Sequence, residues 1–212
     1  MLEKLNQPGY EFISRADDVV LEFLGNVLGR NPDPVFYEVG IGIGATTLPV
    51  AQLMNNRGKI FLFSLQRDVK ELTADLNARG FFNIDASWGS PHHTFSGYHF
   101  ELARGLINKS LPRVDVAYID GGHVFHLDAP ATCVLKELCN LGGYLIFDDY
   151  AWSLARSPSL KPEKRPATAK EYDALQIEAC HVAMVCQAFM DTDSRYKMVH
   201  KKGDTYVYQR IA

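Results

Sequence analysis

YEVGIGIGATT, residues 37–47, holds an acidic residue, then glycines at 40, 42 and 44, then small residues. Alternate glycines allow a tight turn and a close approach of backbone to a ligand. VFYEV just before them reads as a short buried strand, and an amphipathic pattern over 45–55 reads as a helix. The glycines therefore occupy a strand-to-helix turn. In an open parallel sheet, ligands bind at such strand ends, and the helix start aims free N–H groups at an acidic ligand group. A tight turn serving packing alone would use the same glycines, so the rest of the chain has to decide.

Outward from this turn the pattern repeats. Residues 14–28 form an amphipathic helix (Val19, Val20, Phe23, Leu24, Val27) within an N-terminal helical region 12–30, stopped by Gly29, Pro32 and Pro34. GKIFLFS gives a second strand and RDVKELTADLNARG a helix closed by Gly80. FFNIDASW gives a third strand, 96–109 a helix, RVDVAYID a fourth strand, 125–140 a helix and GGYLIFDD a fifth strand. Strands alternating with helices predict an α/β fold with a parallel sheet covered on both faces. A Pro- and Lys-rich loop over about 150–167 follows, then a long helix over 168–190. RYKMVHKK and DTYVYQR around Gly203-Asp204 predict a closing antiparallel hairpin. The expected organisation is a single domain over 1–212.

Composition narrows the function classes. The formal net charge is -3 with no basic block, so nucleic acid and anionic membrane surfaces have no electrostatic support as partners. The apolar run VVLEFLGNVLG is broken by Glu22 and is too short to span a bilayer. Nothing at the start resembles a signal peptide. The four cysteines, 133, 139, 180 and 186, lack any CxxC pair and read as packed, reduced thiols. A cytoplasmic protein is expected, and a homo-oligomer is allowed.

Taken with two later stretches, the turn resembles the class I S-adenosylmethionine-dependent methyltransferases, and within them the metal-dependent small-molecule O-methyltransferases. Catechol-type enzymes and antibiotic sugar and macrolide enzymes belong to that group. YEVGIGIGATT is similar to the family's first motif, DVAYIDGGHVFHLDA to the stretch with its first metal-binding aspartate, and LGGYLIFDDYAW to the strand with its other two ligands. The resemblance implies a Rossmann-like methyltransferase sheet closed by the hairpin. It implies cofactor contacts at Glu38, Gly40, Gly42, Gly44, Thr46, Ser64, Gln66, Gly89, Ser90 and Asp120. One departure stands out: Ser64 occupies the end of strand two, where the family carries an acid for the ribose hydroxyls.

Asp120 ends strand four, and Asp148 and Asp149 end strand five, so three carboxylates converge at the top of the sheet. Unpaired, they would raise one another's pKa. A divalent cation such as Mg²⁺ or Mn²⁺ relieves this through oxygen ligation, giving Asp120, Asp148 and Asp149 as the metal set. Successive strand residues face opposite ways, so both neighbours serve only if the chain turns out of the strand there; otherwise Asp149 caps a loop and Asp148 alone faces the site. The cation would acidify and hold an acceptor hydroxyl. His123, where catechol-type enzymes carry a basic lysine, is the candidate base beside Asp120. A loop histidine bonded only to backbone is the plainer alternative.

Other features read more plainly. His126 belongs on a first helical turn as a structural residue. His92, His93 and His99 read as a solvated or substrate-lining loop, since a carboxylate site does not need them. Phe95, Tyr98 and Phe100 read as core, with Tyr98 a candidate pocket wall. Lys161, Lys164 and Arg165 read as a solvated linker, or as recognition of an acidic acceptor beside an aromatic wall of Tyr150 and Trp152. The leading reading is an S-adenosylmethionine- and metal-dependent O-methyltransferase acting on a small hydroxylated molecule. An NAD-dependent oxidoreductase would need GxGxxG, and amine methylation a Pro-Pro sequence where FDDY stands. A non-catalytic methyltransferase-like binding protein draws its support from Ser64.

Overall fold

The computed structural model describes residues 1–92 and 97–212, without the side chain of Phe12. Strand β1 (Val35–Val39) is buried on both faces, as its continuous apolar run requires of a central parallel strand. It lies between β2 (Lys59–Phe63) and β4 (Val114–Ile119), parallel to both. With β3 (Ile84–Asp85), β5 (Cys139–Phe147), β6 (Tyr196–Lys202) and β7 (Thr205–Arg210), the sheet order is β3-β2-β1-β4-β5-β7-β6. β7 enters antiparallel between β5 and β6. This is the Rossmann-like sheet closed by an antiparallel hairpin that the sequence predicts.

Alternate strand residues feed two cores. Phe36, Ile60, Leu62, Val116 and Ile146 pack under α1 (Asp18–Leu28), α2 (Thr47–Met54) and α3 (Gln66–Ala78). Tyr37, Phe63, Ala117, Leu145 and Phe147 pack under α4 (Tyr98–Ile107) and α5 (Phe125–Leu138) on the other side. Asp17 caps α1 by accepting the Val19 and Val20 N–H groups, so that helix starts later than the expected 14 and is preceded by a 3-10 turn at Glu11–Ile13. No helix among the described residues is long and apolar enough to cross a membrane.

Two expectations need correction. The third strand shrinks to two residues at the sheet edge, because Asp85 accepts the Ser87 N–H and Asn83 bonds the Arg57 carbonyl, both diverting the chain. A lone bridge from Leu65 to Ser90 extends that edge. The long helix over 168–190 is instead α6 (Thr168–Glu171), α7 (Ala174–Glu178), α8 (His181–Val185) and a π-turn at Cys186–Met190. Asp173 breaks it first: with Gln176 it forms a reciprocal capping box that starts α7. His93, Phe95 and the expected helix start at Ser96 lie outside the described residues.

Candidate active site

The strand ends fix the site step by step. The Gly40 N–H donates to the Phe63 carbonyl, Asp120 N–H to Val39, and Asp148 N–H to Ile119, at 2.9, 2.8 and 3.1 Å. The chain therefore leaves β1, β4 and β5 at one level. Gly40 has φ +83°, and a Cβ there would collide with the Asp120 carbonyl, so glycine is required where the turn meets the end of β4. At Gly42 nothing lies within 4 Å of where a Cβ would stand. Beyond it opens a cavity of about 590 Å³, ample for a nucleotide-sized ligand.

Glu38, Gly40, Gly42, Thr46, Ser64, Asp120, His123, Asp148 and Asp149 all line this cavity. Four other expected contacts do not. Gly44 is buried against Leu72 and Leu2, and Gly89 lies against the Gln66 backbone. Gln66 is exposed, and its N–H donates to the Ser90 carbonyl at 2.8 Å. The Ser90 hydroxyl is spent on the His92 carbonyl at 3.0 Å. Conversely, Arg15, Asp17, Asp68 and Tyr118 line the cavity without having been singled out as contacts. Asp17 precedes α1, Asp68 lies in the first turn of α3 and Tyr118 within β4, outside the motifs that marked the other contacts. Asp68 brings a carboxylate to the same wall as Ser64.

At the metal end, Asp149 does leave the strand, with φ +56° just past β5. The His123 Nε2 lies 3.5 Å from Asp120 Oδ1 and 3.4 Å from Asp149 Oδ2. One ligand atom from each of these three residues lies within 4.8 Å of the others. Asp148 is not in that group. Its Oδ2 accepts the Tyr118 hydroxyl at 3.0 Å, and its Oδ1 accepts the Asp149 N–H at 2.8 Å and Thr205 at 3.4 Å. The turn that carries Asp149 toward His123 leaves Asp148 at the cavity wall with its carboxylate bonded to Tyr118, Thr205 and the Asp149 N–H, and His123 stands where the third carboxylate was expected.

Charge crowding defines the chemistry. Burial first, then Asp148, Asp149 and Glu38, hold the Asp120 pKa well above the usual carboxylate range. Burial and then Asp148's neighbour Asp149 raise Asp148, while burial and Asp204 raise Asp149. Burial pushes Glu38 up to about 8, and its Oε2 has no hydrogen-bond partner. Burial lowers the His123 pKa and keeps the imidazole neutral at pH 7. Two crowded carboxylates beside a neutral imidazole fit a divalent cation, which would let both ionise. The two carboxylates supply the oxygen ligands that Mg²⁺ and Mn²⁺ take, and the His123 nitrogen stands beside them.

Around this cluster, the Trp152 ring lies 5.5 Å from that of His123, and Tyr150 stacks on Tyr206 at 3.6 Å. Arg165 is engaged by Glu171 at 2.7 and 3.0 Å and is not free for an acidic acceptor. His92 and His126 are exposed, and His126 sits on the first turn of α5. Phe100, expected in the core, is 53% exposed on the solvent side of α4.

A family model described as a methyltransferase domain matches residues 37–150. Among curated proteins, no sequence relative matches the chain. Solved structures share the fold. The O-methyltransferase TomG of Streptomyces achromogenes, involved in tomaymycin synthesis and solved with S-adenosylmethionine, is 14% identical. That match covers 100% of this chain and 89% of TomG at a TM-score of 0.59. An rRNA methylase from Streptococcus thermophilus is 14% identical over 94% of this chain and 99% of its own, at 0.58. MycE, from the mycinamycin pathway and solved with Mg and S-adenosylhomocysteine, is 14% identical over 98% of this chain and 52% of MycE, at 0.61.

Proposed function

Because the chain belongs to the methyltransferase domain family, we propose that it transfers a methyl group from S-adenosylmethionine to a hydroxyl of a small molecule, assisted by a divalent cation. The observation carrying this is one cavity that joins the glycine turn to Asp120, His123 and Asp149. The cofactor bound to TomG and the Mg bound to MycE support the same assignment. Glu38, Gly40, Gly42 and Thr46 would hold the cofactor, with Ser64 and Asp68 as its ribose contacts. Asp120 and Asp149 would hold the cation. When bound, the cation supplies positive charge that acidifies an acceptor hydroxyl.

His123 receives the acceptor's proton at Nε2, the atom facing Asp120 and Asp149. Its neutral state makes it competent to do so. Trp152, whose ring lies beside that of His123, would wall the acceptor, and a cofactor held at the Gly42 turn would supply the methyl group for direct transfer, without a covalent intermediate.

Calorimetry with S-adenosylhomocysteine and with NAD, each with and without Mn²⁺, tests the proposal. The first ligand is expected to bind and NAD not to bind. Gly42→Val places a side chain in the cavity and should weaken S-adenosylhomocysteine at least a hundredfold while the protein still unfolds cooperatively. Asp120→Asn and Asp149→Asn should each weaken Mn²⁺ at least tenfold. Binding of NAD alone would overturn the assignment. Mn²⁺ affinity unchanged in both aspartate variants would remove the cation from the mechanism.

A further inference from the structure

Residues 120–123, DGGH, rest on two buried side chains that the chemistry above does not use. Tyr98, at the start of α4, is 3% exposed, and its hydroxyl accepts the Gly122 backbone N–H at 3.0 Å. The same hydroxyl donates to Oδ1 of Asp128 on α5, which is 2% exposed. The Tyr98 ring approaches Gly121 so closely that a Cβ there would stand 2.8 Å from its Cζ and its hydroxyl oxygen. Immediately after, His123 adopts φ +53°, a left-handed conformation that a non-glycine residue keeps only when its surroundings hold it there. Burial raises the Asp128 pKa, and the Tyr98 hydroxyl bonded to it opposes that rise.

A purely structural tie between α4 and α5 would not need this chemistry. Apolar side chains of similar volume would fill the space without desolvating a carboxylate. The polar pair is directed at the loop instead, through the Gly122 N–H that Tyr98 accepts and the close packing of its ring on Gly121, next to His123 in the chain.

We propose that Tyr98 and Asp128 are the positioning pair of this site: they clamp Gly121 and Gly122 and so hold the His123 imidazole between Asp120 and Asp149. The proposal rests on the role of His123 given above.

The test uses the full chain and needs no acceptor. Ring signals of isotopically labelled histidine are compared in wild type, Tyr98→Phe, Asp128→Leu and Asp128→Asn. The His123 signal is assigned by its loss in His123→Ala, and His92 and His200 serve as internal references. In Tyr98→Phe and Asp128→Leu the His123 signal should shift, and diethyl pyrocarbonate should modify His123 at least fivefold faster by peptide mass spectrometry. Asp128→Asn, whose amide oxygen still accepts the Tyr98 hydroxyl, should stay within twofold of wild type. A lowered melting temperature with His123 unmoved and equally reactive would overturn the proposal and leave a helix–helix tie. If Asp128→Leu fails to fold, Tyr98→Phe, which removes one oxygen atom, decides alone. Calorimetry of the wild type with S-adenosylhomocysteine reports on the methyltransferase reading separately, so either reading can fail without the other.

Discussion

Glu38 shows how much one side chain can change the pH behaviour of the whole protein. It is the penultimate residue of β1 at 2% exposure, with one carboxylate oxygen unpartnered, and burial pushes its pKa up to about 8. The unfolded chain releases this proton near the ordinary value of 4.5, whereas the native state keeps it until about 8. The native state therefore binds more protons across that window, and stability falls as pH rises, by about 1.4 kcal/mol per pH unit. Asp17, Asp120, Asp148 and Asp149 are also raised and add slope of the same sign. Urea unfolding of the cofactor-free protein between pH 5 and 8 should thus show a shallower decline in Glu38→Gln than in wild type. Parallel declines would show that Glu38 ionises normally in the folded protein. At this scale the sequence was readable where a residue ends a strand: Glu38, Asp120 and Asp149 stand at the cavity for that reason. It was opaque at Asp148, whose direction depends on one left-handed residue after it, and at Asp17, whose helix cap hides a second role.

Elements with a strong period are legible, and elements set by side-chain caps are not. β1, β2, β4, β5 and the hairpin follow from apolar runs and turn residues. The broken helix over 168–190 does not, because its breaks come from side-chain caps that an apolar period does not show, one local at Asp173 and Gln176 and one reaching a partner distant in sequence. His181 is the clearest case. Its Nδ1 accepts the Phe125 N–H at 3.1 Å, and its Nε2 donates to the Gln176 carbonyl at 2.6 Å. One imidazole thus satisfies the first N–H of α5 and a carbonyl of α7, in the tautomer protonated at Nε2. His181→Leu removes two part-buried hydrogen bonds and should cost about 1–3 kcal/mol in total in urea unfolding. Exposed His126→Ala should cost under about 0.5 kcal/mol. Equal, small losses in both would show that the capping contact carries no weight.

At the scale of the molecule, the sheet divides by exposure. β1, β4 and β5 are nearly buried throughout their inner residues, whereas the edge strand β6 is mostly exposed. Amide hydrogen exchange should therefore find the slowest exchange in β1, β4 and inner β5, and faster exchange in β6 and in 150–172. Uniform protection across those segments would contradict this layering. The Thr205 hydroxyl, 3.0 Å from Asp17 and 3.4 Å from Asp148, joins the hairpin to the N-terminal helix cap and to the end of β5. The sheet order also separates in the chain what it unites in space, since β1 lies beside β4. On the ribosome, the turn at Gly40 emerges well before Asp120 and Asp149, by about 5–20 s at ordinary elongation rates. During that interval the nascent chain presents half a binding site. No cofactor can rescue an early misfolding event there, and the first half of the sheet must rely on its own packing until β4 arrives.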